Sequence, residues 1–205
     1  MVERSWVPYL IVLVASGCTL VLELVAGRIL APFVGVSIYT WTNIIGVVLA
    51  GISLGNYLGG VLADRAGSGR MLGLLLGAGG LASVAVLPLA TGLGVLAPRS
   101  HPFLLRIVLL TSLLFFLPSL LLGMVPPVAI KLTLDDLRQA GKVVGRVYAA
   151  STVGSLVGTF LTGFVLIAHV GARVIILSVG LTLVCLGALA GALARDRAGS
   201  QAPSV

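Results

Sequence analysis

The chain has 205 residues, of which 59% are hydrophobic and only 9% are charged, with a mean hydropathy of +1.18. A soluble domain carries about a quarter of its residues as charges. This chain therefore has too few charged residues to cover a water-facing surface, and we expect an integral membrane protein.

Long uncharged runs predict six membrane-spanning helices. About 20 apolar residues are needed to cross the hydrocarbon core as a helix, whereas a membrane barrel shows short alternating strands instead. The predicted spans, numbered 1 to 6 in chain order, are 7–33, 39–63, 71–97, 105–130, 145–168 and 173–194. The turn signal Pro32-Phe33-Val34-Gly35 divides the first two spans. Span 1 is too long for a signal peptide and is expected to be retained, and residues 196–205 are expected to form a flexible tail.

The distribution of basic residues predicts the orientation of the chain. Nine bases fall on the side of the two termini, namely Arg4, Arg65, Arg70, Lys131, Arg138, Lys142, Arg146, Arg195 and Arg197. The opposite loops hold three, namely Arg99, Arg106 and Arg173. Because positive residues mark the cytoplasmic side, both termini are predicted to be cytoplasmic. The net charge of +7 is then explained by topology and anionic lipid, and no nucleic-acid partner is expected.

Glu23 is the one acid deep within a predicted span. A charge at the bilayer centre costs about 2.5–3.5 kcal/mol on insertion scales, so it normally faces protein or water. Arg28 lies five residues later, about 140° around the helix, which is too far for an ideal pair on one face. Glu23 is thus either a hydrogen-bonded packing residue or a group that binds a cation or carries a proton. Arg28 either extends to the exterior interface or reaches another helix and the substrate.

Spans 2 and 5 carry polar side chains that are candidates for substrate binding. Span 2 opens with the sequence Tyr39-Thr40-Trp41-Thr42-Asn43, which also suits a membrane-interface anchor. Asn43 and Tyr57 are 14 residues apart, nearly on one helix face, and are expected to form a polar seam with Asn56 nearby. The candidates on the two spans are Asn43, Asn56, Tyr57, Tyr148 and Ser151. Each is either a ligand contact or a bridge between helices.

Small residues recur at intervals of four on the same two spans. They are Gly51, Gly55 and Gly59 on span 2, and Ala150, Gly154 and Gly158 on span 5. Such stripes let helix backbones approach closely in a membrane. Two alternatives remain open: packing within one chain, or a homodimer seam between span 2 of one copy and span 5 of the other.

The loop after span 2 resembles a signature of the major facilitator superfamily between its second and third helices. The matching residues are Gly60, Asp64, Arg65, Gly67 and Arg70. Asp64 is expected to cap or pair at a helix end, while Arg65 and Arg70 bind cytoplasmic partners or lipid.

Two prolines and a polar segment end the fourth span. Pro126 and Pro127 predict a kink near the cytoplasmic face, because proline removes backbone donors from the helix. Residues 131–146 are expected to form a short interfacial helix that carries Asp135, Asp136 and Arg138. This helix would dock a soluble partner or lie at the lipid headgroups.

The two halves of the chain repeat. Residues 51–70 align with residues 154–173 without gaps at an offset of 103, which places three glycines of each segment in register, and Gly77 meets Gly180 at the same offset. Each repeat, about 7–97 and 105–194, carries three spans, so the second unit enters the membrane from the opposite side. The expected fold is therefore all-α, with six transmembrane helices in a 3+3 inverted repeat, similar to one half of a major facilitator protein.

Three phrases resemble one bacterial family. They are ELVAGRILAPFVGVSIYTWTNIIGVVLAGISLGNYLGGVLADR, LLGMVPPVAIKL and GRVYAASTVGSLVGTFLTGFVL. They resemble the membrane region of fused major facilitator/spermidine synthase proteins, in which a soluble aminopropyltransferase-like domain commonly follows. The sequence contains no such domain, so the resemblance is expected to cover the membrane region alone. It implies the bacterial inner membrane and polyamines or related amines as cargo.

Catalysis, cofactors and metals are not expected. Cys18 and Cys185 fall inside spans, His101 and His169 fall in predicted exterior loops, and the glycine-rich run 77–80 lies among leucines. The first hypothesis is a half-size transporter for organic cations, working as a homodimer in the lipid bilayer with Glu23 as the cation-binding residue. The alternative is a non-transporting anchor that holds a separately encoded synthase-like or other soluble partner on the cytoplasmic side.

Overall fold

The structure, a computed structural model, describes residues 6–96, 102–134 and 136–199, with side chains described up to 92 in the first range and up to 194 in the last. Arg4, Arg99, His101 and Asp135 lie outside these ranges, as do the side chains of Arg195 and Arg197. All regular structure in the described part is helical. Six helices are long and apolar enough to cross a membrane, which confirms the six predicted spans.

The six spans begin at or before their predicted starts, and span 5 begins eight residues earlier than predicted. They run over Val7–Val34, Ile38–Ala66, Gly69–Leu96, Phe103–Thr133, Leu137–His169 and Ala172–Gly199. The link between the first two is only residues 35–37, where Gly35 has φ of +71° and Ser37 caps span 2 by accepting a hydrogen bond from the Thr40 amide. Gly35 permits this reversal because glycine has no Cβ to clash at positive φ.

Span 4 is not a uniform α-helix. Span 4 contains a π-helical turn at Ser112–Phe116. Its first helical part ends at Gly123, and a second helix begins at Val125. This interruption at Met124 lies next to the position at which Pro126 and Pro127 predict a kink. These prolines fit the first turn of the new helix, where backbone N–H groups have no intrahelical partner.

Two predicted segments differ from the structure. Residues 131–133 are the last turn of span 4, and the backbone at Leu134 and at Asp136 is extended. Span 5 opens with a 3₁₀ turn at Leu137–Gln139 and continues as a helix from Ala140. The separate interfacial helix predicted over 131–146 is therefore wrong, because both neighbouring spans are longer than the apolar runs that identified them. Similarly, residues 196–199 of the predicted tail continue the helix of span 6.

The spans pack in three close pairs: span 1 with span 5, span 2 with span 4, and span 3 with span 6. One cleft brings together Val7, Gly69, Leu132 and Ala194, which are the start of spans 1 and 3 and the end of spans 4 and 6. Spans 1 and 3 therefore start, and spans 4 and 6 end, at the same end of the bundle. We call this end, which holds the start of span 1, the terminal face, and the opposite end the distal face.

The glycine stripes pack inside the chain. The three glycines of span 2 lie against span 4, and the two glycines of span 5 lie against span 1. An added Cβ would lie 2.9 Å from the Phe116 carbonyl oxygen at Gly51, and 2.5 Å from the Gly17 carbonyl oxygen at Gly158. These stripes are therefore already occupied, and the alternative of a homodimer seam through them is wrong. Ala150, the remaining member, is only partly buried.

Candidate functional site

A polar cavity lies between spans 1, 2, 4 and 5. Its volume is about 180 Å³. Its polar lining consists of Ser16, Thr19, Asn56, Tyr148, Ser151 and Ser155, and its apolar lining comes mainly from Leu20, Ile52, Leu122 and Pro126. Polar side chains within membrane spans are costly unless they meet partners or water. Their convergence makes this cavity the candidate functional site.

Hydroxyl groups join span 1 to span 5 at the wall of the cavity. The Oγ atoms of Ser16 and Ser151 are 2.8 Å apart, which is hydrogen-bonding distance. The Thr19 hydroxyl donates to the carbonyl of Ala15 in its own helix, at 2.9 Å. These three hydroxyls therefore already have partners.

Three other groups of the lining are free to bind a ligand. Within the described residues, the side chains of Asn56, Tyr148 and Ser155 form no hydrogen bond. An amide and two hydroxyls offer both donors and acceptors. Tyr148 is 56% exposed, so the ring belongs to the mouth of the cavity. The site therefore suits a small polar solute that forms hydrogen bonds in both senses.

Glu23 lies on the same helix face as the cavity hydroxyls, although it does not line the cavity. It follows Ser16 by seven residues, which rotates it by only about 20° and places it about 10 Å along the helix toward the distal face. The side chain is partly buried, and among the described residues it has neither an ion pair nor a hydrogen bond. An unpaired acid on the distal side of the cavity is suited to attract a cation into it.

The remaining predicted substrate residues lie elsewhere. The Asn43 side-chain amide donates to the carbonyl of Ile107 at 3.3 Å, which ties span 2 to span 4. Tyr57 is 68% exposed, and Arg28 borders a separate cleft at the distal face. Of the residues in the predicted seam, Asn56 lines the cavity, whereas Asn43 and Tyr57 do not.

Three of the six polar residues in the cavity lining, Asn56, Tyr148 and Ser151, are among the predicted substrate residues, and the other three are not. Ser16, Thr19 and Ser155 were not predicted. A signal was present on span 1, where Ser16, Thr19 and Glu23 follow one another at intervals of three and four residues on one helix face.

The loop motif is held by an ion pair at the terminal face. The Lys131 ammonium lies 3.1 Å from the Asp64 carboxylate, and it joins the ends of spans 2 and 4. An added Cβ at Gly67 would lie 3.0 Å from Lys131 Cγ, so this glycine makes room for the lysine stem. Gly60 has open space around it. Arg65 and Arg70 are exposed and have no carboxylate partner among the described residues.

The described residues contain no cluster of three or more His, Cys, Asp or Glu side chains suited to a metal ion. No protein-family model, curated protein or solved structure matches this chain.

Proposed function

We propose that this chain is a half-size membrane transporter with a 3+3 inverted repeat, working as a pair of copies, whose cavity binds an organic cation such as a polyamine or a related amine. The observation that carries the proposal is the polar cavity between spans 1, 2, 4 and 5, with an unpaired acid above it. In transporters with inverted repeats, substrate sites lie near the bilayer midplane at the repeat interface.

The packing of the glycines supports the repeat. Two contacts between spans 5 and 1 have counterparts between spans 2 and 4. The residue on span 2 is 103 positions before its counterpart on span 5, and the residue on span 4 is 103 positions after its counterpart on span 1. The four contacts are Gly154 on Leu13, Gly158 on Gly17, Gly51 on Phe116 and Gly55 on Leu120. The pairing of whole spans agrees, because exchanging spans 1, 2 and 3 with spans 4, 5 and 6 leaves the three close pairs unchanged. This is the pattern expected of two units related by a two-fold axis.

The size of the cavity supports pairing of two copies. Its volume of about 180 Å³ is below the roughly 300–1,000 Å³ of ordinary ligand sites. Polar residues including Ser53, Tyr57 and Thr152 are exposed on spans 2 and 5. A second copy facing these spans would cover those groups and enlarge the cavity. It would also bring a second Glu23 toward the same space, which suits a cargo with more than one amine.

A second candidate function is a membrane anchor for a soluble partner. The observation that favours it is a set of exposed bases near the terminal face, namely Arg65, Arg138, Lys142 and Arg146. Under this alternative a partner protein binds the basic face, and Glu23 contributes to folding alone.

Ligand-induced thermal stabilisation distinguishes the two functions. We expect spermidine or a related amine to raise the melting temperature of the purified protein, because a ligand at 100 times its Kd stabilises the folded state by about 2.7 kcal/mol. Glu23→Gln should abolish the shift while the variant remains folded. Asp64→Asn is the matched control, since it removes an acid that is exposed at the terminal face, and it should retain the shift.

The outcome that contradicts the transporter proposal is equally specific. If no amine shifts the melting temperature, or if the shift is the same in Glu23→Gln, the cavity does not bind cations through this acid. A co-purifying soluble protein that is lost on replacing Arg138 and Lys142 would then favour the anchor.

A further inference from the structure

A second cleft, at the distal face, brings together two arginines from different spans. Its volume is about 310 Å³, and it lies between the end of span 1, the later part of span 3 and the start of span 6. Arg28 and Arg173 both line it, together with Thr91 and an apolar floor that includes Phe33 and Leu87. The cleft is separate from the cavity with Asn56, with which it shares no lining residue.

Among the described residues, neither arginine has an acidic partner. The one ion pair among the described residues joins Asp64 to Lys131 at the terminal face. Glu23 is five residues from Arg28 but forms no ion pair with it. The undescribed link 97–101, which follows span 3, contains no Asp or Glu in its sequence. Two guanidinium groups therefore border one cleft with no carboxylate of the described chain to neutralise them.

The backbone at the cleft favours an anion as well. Gly171 and Ala172, at the start of the 28-residue helix of span 6, are part of the lining. The Gly171 carbonyl accepts from the amides of Val174 and Ile175, while the first N–H groups of a helix have no partner within it. The positive end of the helix dipole adds to the attraction. Guanidinium groups bind phosphate oxygens with matched, paired hydrogen bonds.

We propose that this cleft binds a phosphate group, held by Arg28 and Arg173 and by the first turn of span 6. Two sources share this chemistry: the headgroup of a phospholipid whose acyl chains contact the apolar floor, and free phosphate or a small phosphorylated solute. The proposal is independent of cation binding in the central cavity.

The first experiment uses inorganic phosphate as the probe. Purified protein in a phosphate-free non-ionic detergent is titrated with phosphate against chloride at equal ionic strength, and the melting temperature is recorded. The second arm places the protein in nanodiscs of phosphatidylcholine with or without phosphatidylglycerol, and native mass spectrometry counts the lipids retained. Stabilisation in the first arm identifies free phosphate as a ligand, and retained phosphatidylglycerol in the second identifies a lipid headgroup.

Arg28→Gln and Arg173→Gln are the test variants, and Arg146→Gln is the control. Each test variant should weaken binding about tenfold or more, since a hydrogen bond to a charged group contributes about 1.5–3 kcal/mol, and the double variant should abolish it. Arg146 is exposed on span 5 and lies outside the cleft, so the control should bind as the unaltered protein does. Melting temperatures without phosphate show whether each variant is folded. If neither probe binds, or if the folded double variant binds as well as the control, the proposal is wrong.

Discussion

The packing of Gly154 leads to a prediction with a defined sign. An alanine Cβ at this position would overlap the carbonyl group of Leu13 in span 1. The obstacle is backbone, which moves less easily than the end of a side chain, so we expect the full cost of overpacking, about 1–3 kcal/mol. Alanine also gains about 0.8–1 kcal/mol in helix propensity over glycine. The net effect at Gly154 is a loss of up to about 2 kcal/mol.

Gly60→Ala is the matched control, because nothing lies within 4 Å of its added Cβ. It gains the same helix propensity without the clash and should be neutral or slightly stabilising. The propensity contribution is common to both variants, so the difference between them isolates the packing cost of about 1–3 kcal/mol. That difference corresponds to a factor of about 5 to 150 in the unfolding equilibrium. Thermal or denaturant unfolding in detergent measures it.

The same test applies to the glycine contacts of span 2. Gly51→Ala should also destabilise, since its Cβ would lie 2.9 Å from both the Phe116 carbonyl oxygen and Ser119 Cβ. Equal ease of unfolding of Gly60→Ala and Gly154→Ala would contradict a packing cost at Gly154. A Gly154→Ala variant with a changed mass in detergent but unaltered unfolding of the single chain would also contradict it, because that result would place the glycine between two copies.

Two further predictions concern polar contacts between spans. A double-mutant cycle with Ser16→Ala and Ser151→Ala should give a coupling energy of about 0.6 kcal/mol, the average for hydrogen bonds between membrane helices, and zero coupling in unfolding assays would contradict the 2.8 Å contact. Asp64→Asn should cost at most about 1 kcal/mol and less at high salt, because the pair with Lys131 is exposed at both ends, with 77% and 49% of the two side chains accessible. A salt-independent loss well above that value in the same assay would contradict a solvent-screened pair.

The six spans could be predicted from the sequence because crossing a bilayer requires a length of apolar chain that composition reveals directly. Their ends were harder to place. Lys131 and Leu137 lie beyond the apolar runs, yet both belong to spans in the structure, since helical backbone bonds continue into the interface after hydrophobicity falls. Charge therefore misleads at a span end, and 131–146 was predicted as a separate helix for this reason.

The partners of each span could not be predicted from hydrophobicity. Lipid is as apolar as a leucine side chain, so a membrane helix lacks the polar outer face that marks the exposed side of a soluble helix. Small residues give the better signal, because Gly55 and Gly158 lie where two backbones meet. Their spacing indicated close packing, but only the structure assigns span 4 and span 1 as the partners.

The glycine seams also explain why the cavity has its polar wall between spans 1 and 5. Close approach at Gly154 and Gly158 brings Ser16 opposite Ser151, and the two hydroxyls satisfy each other. Displaced by 103 residues, the positions of these serines are Ser119 and Val48. Valine offers no hydroxyl, and Ser119 Oγ is buried without a hydrogen-bond partner among the described residues. The two glycine seams thus both bring backbones close together but differ in side-chain chemistry, and the hydrogen-bonded serine pair lies at the seam between spans 1 and 5.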